Sequence, residues 1–500
     1  MKILLINPIV RPESPPAYFP LGLASVAGTL ISKGYDVEAL DINAYRLPPL
    51  EVQQFLKNAR FDWLGITGLI TEYNQVKWLS AAAKQYHPDK PVVLGGGLAS
   101  SVPDLILENT AVDIVVIGEG EQTAADLSQA IENNLPLESV RGIGFRRKGQ
   151  IYYTEKQPFI ADLDNLPPTV WHLFPVNIYA KGEKLGFEFP VQAINILSGR
   201  GCPYHCSYCF HGIFGHKYRA RSPRKVVEEI LYLKNKYHLK GVLFSDDTLT
   251  LNRNWVTDFC KLIQEHCPDI RWACNGRVNL MDPELLKLMK QSGCCSIFYG
   301  IESGSQKILD SINKGVTVEQ AAKVIHWSRK AGLDAQGYFI IGAPGETRET
   351  VRETIEFCQQ NNLGLGLSIA SPLPGTKWFE LAVSAGKITN IQKLIPQWGR
   401  WNNGVMVNLS LLSDDELMAL KHDAEQITNT SILKKKTLIS EFQRWNNFKN
   451  QYGLHMFVLK AAYKLLRTSG LTEPYTKNQR QIKESSQLWA NVMTNRENSI

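Results

Sequence analysis

The sequence predicts an α/β protein made of two successive βα arrays: a doubly wound parallel sheet, then a partial (β/α)6 barrel, with a mainly helical C-terminal region after them. Three observations carry this prediction. Short apolar runs alternate with helical stretches over residues 1–140, the same alternation resumes at about 191 and runs to 376, and the last hundred residues keep neither rhythm. The resulting division is 1–140, a connector at 141–190, 191–376 and 377–500. With 44% hydrophobic and 21% charged residues over 500 positions, the composition is that of a folded chain of several domains. No apolar run reaches the roughly 18 residues of a membrane span.

In the first array Lys2–Asn7, Asp36–Ile42, Trp63–Thr67, Pro91–Leu94 and Asp113–Ile117 read as buried strands, with helical patterns such as Leu21–Lys33 and Tyr73–Tyr86 between them. Met1 opens a strand pattern, KILLIN, rather than a signal peptide. A doubly wound sheet binds ligands at the carboxyl ends of its strands. Those ends are rich in glycine: Gly65 to Gly68, Gly95-Gly96-Gly97 and Gly118-Glu119-Gly120-Glu121. Glycine can make a tight turn anywhere, but three such ends on one sheet edge imply a large ligand lying against backbone. Neither GxGxxG nor a Walker lysine is present, which argues against NAD and ATP. The connector opens with an edge hairpin, GIGFRRKGQIYYTE, and continues as a Pro-punctuated segment whose Trp171, His172 and Phe174 read as packing residues.

The second array begins with INILSGRGCPYHCSYCF, residues 194–210. Cys202, Cys206 and Cys209 stand in the spacing Cys-x3-Cys-x2-Cys, with Tyr208 just before the third. Three thiolates within eight residues wrap a soft-metal centre without long-range folding, and they leave a metal position open. A structural zinc site drawing a fourth ligand from His205, His211 or His216 is the alternative. A disulfide scaffold fits poorly, since the nine cysteines are odd in number and residues 1–200 have none. Cys260, Cys267, Cys274, Cys294, Cys295 and Cys358 read as small buried apolar residues, and this usage points to a reducing cytoplasm. Helix patterns at Pro223–Tyr237, Arg253–His266, Asp282–Gln291, Thr317–Ala331 and Arg348–Asn361 alternate with strand patterns at 192–197, Gly241–Ser245, Arg271–Asn275, Ser296–Tyr299, Asp334–Ile341 and Gly366–Ser371. Six such units make a partial barrel whose active site lies at the carboxyl ends of the strands.

The cysteine motif resembles the cluster motif of the radical SAM superfamily. The resemblance implies a [4Fe–4S] cluster on Cys202, Cys206 and Cys209, S-adenosylmethionine on its open iron, and a 5′-deoxyadenosyl radical after one-electron reduction. It further implies SAM contacts from Tyr208; from Ser245 and Asp246 in Ser245-Asp246-Asp247, toward the amino group; from Arg277, toward the carboxylate; from Glu302 and Ser303 in GIESGS; and from Ile341 in YFIIGAPGE, beside adenine. Pro372–Thr376 closes the last strand as in that family.

PLGLASVAGTL at 20–30, VVLGGGLASSVP at 92–103 and DIVVIGEGE at 113–121 resemble the cobalamin-binding domain that precedes many radical SAM domains. By that likeness Leu21, Gly22, Thr67, Gly95, Gly96, Gly97, Glu119 and Gly120 contact cobalamin. The DxHxxG motif is absent and Leu98 stands where a family histidine is usual, so no histidine ligand on cobalt is expected. Methylthiotransferases carry a second three-cysteine cluster in their first domain, and this chain has no cysteine there.

The two likenesses, covering about residues 1–376, imply a cobalamin-dependent radical SAM methyltransferase acting on an unactivated carbon, or on phosphorus, of a small-molecule, lipid or natural-product substrate. They also imply a flavodoxin- or ferredoxin-type electron donor. A ring-forming or oxidative rearrangement with the same cofactors is the enzymatic alternative, and a cobalamin- or iron–sulfur-sensing protein the non-enzymatic one.

Net charge is +7, but residues 431–500 carry 12 Lys/Arg against 4 Asp/Glu, leaving the rest of the chain at −1. The body is neutral, which argues against nucleic acid. Ser413–Thr428 reads as a capped helix. HMFVLKAAYKLLRTSG, 455–470, reads as an amphipathic helix that packs on the barrel or rests on an anionic membrane face.

Overall fold

The computed structural model describes residues 1–180, 191–364, 366–398 and 404–435. The expected helix at 455–470 and the basic tail lie outside the described residues. The first seven strands, β1 (Lys2–Asn7), β2 (Asp36–Asp41), β3 (Trp63–Thr67), β4 (Val92–Gly95), β5 (Ile114–Val116), β6 (Ile143–Arg147) and β7 (Gln150–Tyr153), form one sheet in the order β2-β1-β3-β4-β5-β6-β7. β1 to β5 are parallel, and the β6–β7 hairpin adds to β5 antiparallel. Alternation along β1 shows why both faces are covered. Ile3 and Leu5 enter a core shared with the second array, whereas Leu4 and Ile6 enter the core of the opposite face. The strand order reverses between β1 and β3, the switch point at which such sheets open a ligand crevice.

The second array is a six-stranded, wholly parallel curled sheet, a half-barrel. Its strands are β8 (Ala193–Ile196), β11 (Gly241–Phe244), β12 (Arg271–Gly276), β13 (Cys294–Glu302), β14 (Asp334–Ile341) and β15 (Gly366–Ile369), in the order β15-β14-β13-β12-β11-β8. A two-stranded ribbon, β9 (Gly199–Arg200) with β10 (Arg219–Ala220), stands at the mouth between β8 and the helix Pro223–Tyr237. Side chains of even and odd positions part cleanly. Trp272, Ile297, Tyr299 and Phe339 face the helices, while Leu243, Ala273 and Phe298 form a separate small cluster inside the barrel.

After the barrel the chain turns back to the first domain. Ile395 and Trp398 are fully buried in the same core as Leu4, Ile70 and Tyr73, and Asn74 Nδ2 donates to the Pro396 carbonyl at 2.9 Å. The helix Asp414–Lys435 starts on a Ser413–Glu416 reciprocal cap and packs on β15 and the helix Arg348–Gln360. Among the described residues no helix is long and apolar enough to cross a membrane.

Candidate active site

A cavity of about 1140 Å³ opens at the carboxyl edge of the first sheet. It exceeds the ~300–1,000 Å³ of ordinary small-molecule pockets. Leu21, Gly22, Thr67, Gly95, Gly96, Gly97, Glu119 and Gly120, the residues singled out in the sequence, all line it. A slot between Leu5, Trp63, Gly65, Val93 and Ala124 takes it down toward the sheet. Gly96 has φ +87° and its Cβ would stand 2.9 Å from the Gly68 carbonyl, so only glycine fits. At Gly95 and Gly22 a Cβ would meet no atom within 4 Å, and the space it would enter is the cavity. Leu98, at the position where a family histidine is usual, is fully buried in the core beneath.

The far wall of the cavity belongs to the barrel: Ser198, Gly199, Arg200, Ile213 and Phe214. A buried ion-pair network closes this seam. Glu119 accepts from Arg200 at 2.7 Å, from Arg219 at 2.8 Å and from the Ile160 amide at 2.8 Å. Arg200 also donates to Glu121 at 2.6 Å, and Ser25 Oγ donates to the same carboxylate. Burial opposes ionisation of Glu121, yet Arg200 holds its carboxyl below the ordinary range. Glu119 thus lines the cavity, but its carboxylate is engaged by the neighbouring domain.

Two residues past Arg200 the cysteine loop begins. Gly201 takes φ +83°, and any Cβ there would collide with the Lys217 carbonyl. The loop is pinned on both flanks: Cys202 N donates to Gly215 O, Ser207 N to Ile312 O at 3.0 Å, Trp378 N to Ser207 O, and Asn313 Nδ2 to His205 O at 2.9 Å. Cys206 is buried, Cys202 half-buried and Cys209 exposed at the mouth, and desolvation, with smaller contributions from neighbouring thiols, pushes the Cys202 and Cys209 thiols above the ordinary range. Among the described residues no three His, Cys, Asp or Glu side chains converge on a single ion. Thiolates that each hold a different iron need not do so, so the donor set fits an iron–sulfur cluster better than one zinc. His205, His211 and His216 stack ring on ring at 4.1–4.2 Å, an arrangement unlike a ligand set.

Around this loop the barrel supplies the polar groups. Arg277 is 6% exposed, has its Cζ 3.6 Å from the Tyr204 ring centroid and points Nη1 at Cys206 Sγ, 3.9 Å away. Its Nε and Nη2 are buried without a partner among the described residues, donors available to an anion. Glu302, at φ +72°, ends β13 beside a register shift, and Lys314 donates to it at 2.7 Å and to the Tyr208 hydroxyl at 3.0 Å. Asp246 is committed elsewhere: its carboxylate accepts from Ser198 N at 3.1 Å and Ser198 Oγ at 2.6 Å, and burial pushes it up to about 6. Asp247 is exposed at the mouth; Thr248 Oγ1 donates to its backbone carbonyl, and its carboxylate accepts no hydrogen bond among the described residues. The Ser303 side chain is buried against Thr354, and Ile341 packs on the helix side, so neither side chain faces the mouth; Ser245 is half-buried on the interior face. Sequence reasoning missed Lys314 and the arginines of the seam. The Asn313-Lys314-Gly315 turn was the only local signal for the first.

A radical SAM superfamily model matches residues 196–358, and a B12 binding domain model matches residues 9–128. The chain is 32% identical to the uncharacterized methyltransferase PH0819 of Pyrococcus horikoshii, over 93% of this chain and 98% of that one. It is 26% identical to the cytidylyl-2-hydroxyethylphosphonate methyltransferase of Streptomyces wedmorensis, over 82% of this chain and 88% of that one. Among solved structures, the cobalamin-dependent S-adenosylmethionine radical enzyme OxsB with aqua-cobalamin and S-adenosylmethionine bound superposes with a TM-score of 0.70 at 14% identity, covering 99% of this chain and 79% of that one.

Proposed function

The chain belongs to the radical SAM enzymes that carry a B12-binding domain, and from that premise we propose that it methylates an unactivated carbon, or phosphorus, of a small-molecule or lipid-like substrate enclosed between the sheet-edge cavity and the barrel mouth. Its cofactors are those of the family: cobalamin, a [4Fe–4S] cluster and S-adenosylmethionine. When bound, the cluster and S-adenosylmethionine supply a 5′-deoxyadenosyl radical and cobalamin supplies the methyl group.

The observation that carries the reading is the shared wall. Arg200 lines the large cavity and sits two residues before Cys202, so two cofactor sites meet across one strand of ribbon. In this reading Cys202, Cys206 and Cys209 hold the cluster, and the glycine edge with Leu21 and Thr67 holds the corrinoid. Arg277, with two unpartnered N–H-bearing nitrogens, pairs with the S-adenosylmethionine carboxylate. Asp247 takes the ammonium in place of Asp246, whose carboxylate is consumed by Ser198. Lys314 neutralises Glu302 and holds the Tyr208 ring beside the loop, keeping that flank desolvated and ordered. The backbone around Ile341 flanks adenine. We assign residues 1–140 to cobalamin, 191–376 to the radical chemistry and 377–398 to a return segment joining both, with a low-potential protein as electron donor.

The test is anaerobic reconstitution with iron, sulfide and hydroxocobalamin, then incubation with S-adenosylmethionine and dithionite. A full cluster, an equimolar corrinoid, 5′-deoxyadenosine and S-adenosylhomocysteine are expected together. Deoxyadenosine without S-adenosylhomocysteine would move the reading to a rearrangement, and loss of corrinoid binding would overturn the assignment of residues 1–140.

A further inference from the structure

The turn Ile312-Asn313-Lys314-Gly315, between the helices Gln306–Ser311 and Val318–Lys330, grips the cysteine loop at successive points. Ile312 O accepts from Ser207 N at 3.0 Å, Asn313 Nδ2 donates to His205 O at 2.9 Å, and Lys314 Nζ donates to the Tyr208 hydroxyl at 3.0 Å. A Cβ on Gly315 would stand 3.7 Å from Arg277 Nη2, on the guanidinium that faces Cys206. The local sequence makes this grip. Asn313 takes φ +54° and Gly315 φ +65°, left-handed conformations that asparagine and glycine adopt at least cost. Between them the Lys314 amide donates to Leu309 O at 3.0 Å and closes the preceding helix.

The Lys314 side chain runs inward. The residue is 5% exposed, and its Nζ lies 2.7 Å from Glu302 Oε1. β13 is shaped around this pair. Glu302 holds φ +72° beside the register shift, and a Cβ on Gly300 would meet Glu302 Oε1 at 2.6 Å and Lys314 Nζ at 3.0 Å. A left-handed glutamate and a missing side chain thus both serve to bury one ion pair. A buried pair is a poor source of stability, since desolvation offsets most of its Coulomb gain. What remains to explain it is its position beside the thiols.

The charged side chains that the barrel brings to the loop include Arg277, Asp247, Glu302 and Lys314. In the proposed function Arg277 and Asp247 meet the two charged ends of S-adenosylmethionine, and Glu302 and Lys314 cancel each other. Tyr208, between Cys206 and Cys209, joins the ammonium to the loop by its hydroxyl. Burial raises the Cys209 thiol, and the Lys314 charge acts against that rise. One-electron reduction of a cluster on three thiolates adds negative charge to a site that already carries it. A lone buried carboxylate at Glu302 would oppose that electron, and the ammonium removes the opposition.

We infer that Lys314 is a positioning residue for the cluster: its ammonium cancels the Glu302 carboxylate and so keeps the cluster potential high enough for one-electron reduction by its donor. The inference rests on the reading that Cys202, Cys206 and Cys209 hold a [4Fe–4S] cluster, and it needs neither cobalamin nor methyl transfer. Its test uses the full chain reconstituted with iron and sulfide, without S-adenosylmethionine. The protein is photoreduced stepwise with viologen mediators in alkaline buffer, and the reduced cluster is counted by electron paramagnetic resonance.

Lys314→Met leaves Glu302 uncancelled. Its midpoint is expected below wild type by about tenfold in the reduced-to-oxidised ratio at a fixed donor potential, about 59 mV for one electron. Glu302→Gln leaves the ammonium alone and shifts the midpoint upward by a similar amount. Lys314→Arg keeps the charge and the double variant Lys314→Met/Glu302→Gln removes both, so each is expected within about twofold of the wild-type ratio. A purely structural role cannot give shifts of opposite sign. Shifts of the two single variants in one direction, or wild-type potential in both at full iron content, overturn the inference. Should Lys314→Met fail to take up iron, Glu302→Gln decides, an upward shift supporting the inference and an unchanged or lower midpoint overturning it. A wild type that takes up no reducible cluster overturns the cluster reading itself, a result distinct from any difference among iron-loaded variants.

Discussion

The sheet edge of the first domain and the mouth of the barrel are built on opposite principles. At the sheet edge the site is made by leaving side chains out. Gly95 and Gly22 border open space, Gly96 admits no Cβ, and the two acids at that edge, Glu119 and Glu121, are tied to Arg200 and Arg219. At the mouth the site is made of reactive side chains left incomplete: three thiols, a buried arginine with two unpartnered nitrogens and an exposed aspartate. A large ligand bound by shape needs room and backbone. A small charged ligand and a metal cluster need donors held unsatisfied until they arrive. The two sites should therefore fail in different ways.

The largest separation is expected from Cys206→Ala. Removing one thiolate should abolish cluster assembly and S-adenosylmethionine cleavage, by at least ~10³-fold in deoxyadenosine formation, since one-electron chemistry has no other route. Corrinoid binding, measured by absorbance after desalting, should survive. Joint loss of both would mean that the two sites are not separable.

The seam between them comes next. Arg200 is 7% exposed and bonds two carboxylates, so Arg200→Ala leaves Glu121 buried without its cation. Breaking a buried pair from one side costs about 3–5 kcal/mol, to be read from urea unfolding. A cost below ~1 kcal/mol would mean that water replaces the guanidinium and that the seam does little to hold the domains.

Gly95→Val probes the sheet edge with a smaller effect on the whole molecule. The added side chain meets no protein atom within 4 Å of its Cβ, so the unfolding midpoint should stay near wild type. It enters the cavity, and corrinoid affinity should drop about tenfold or more while iron content is kept. A variant that binds cobalamin normally would show that the corrinoid does not approach Gly95.

How much of this could be read beforehand follows the same division. Apolar runs and glycines gave the strands of the first sheet and the residues of its cavity, because backbone geometry and burial are local consequences of composition. The thiol spacing likewise located the loop. The fate of Glu119 was hidden, because its partners Arg200 and Arg219 lie 81 and 100 residues away in the other domain. Asp246 and Asp247 both lie past the end of β11, where strand alternation no longer decides which way a side chain turns. Asp246 is taken by Ser198, 48 residues away in the sequence, while Asp247 stays exposed. A pairing across that separation is not written in the local sequence.

The smallest expected effect isolates a carboxyl that belongs to neither site. Glu346 is fully buried after β14; its Oε2 accepts from the Gly342 and Ala343 amides, its Oε1 has no partner among the described residues, and its backbone carbonyl accepts from Leu411 N. Burial pushes the carboxyl up to about 7 despite the two amide donors. In the unfolded chain it titrates near the ordinary ~4.3. Between those values the folded state holds a proton that the unfolded state has lost, so this contribution to stability is complete below about pH 4.3 and disappears as pH rises through 7. Glu346→Gln keeps an oxygen for the two amides and has no proton to lose. Its unfolding free energy should decline less steeply than wild type between pH 4.5 and 7, with the buried Asp246, at about 6, supplying the slope that remains. Parallel curves for the two proteins across that window would mean that Glu346 is ionised in the fold, and that its unpartnered oxygen reaches a donor outside the described residues.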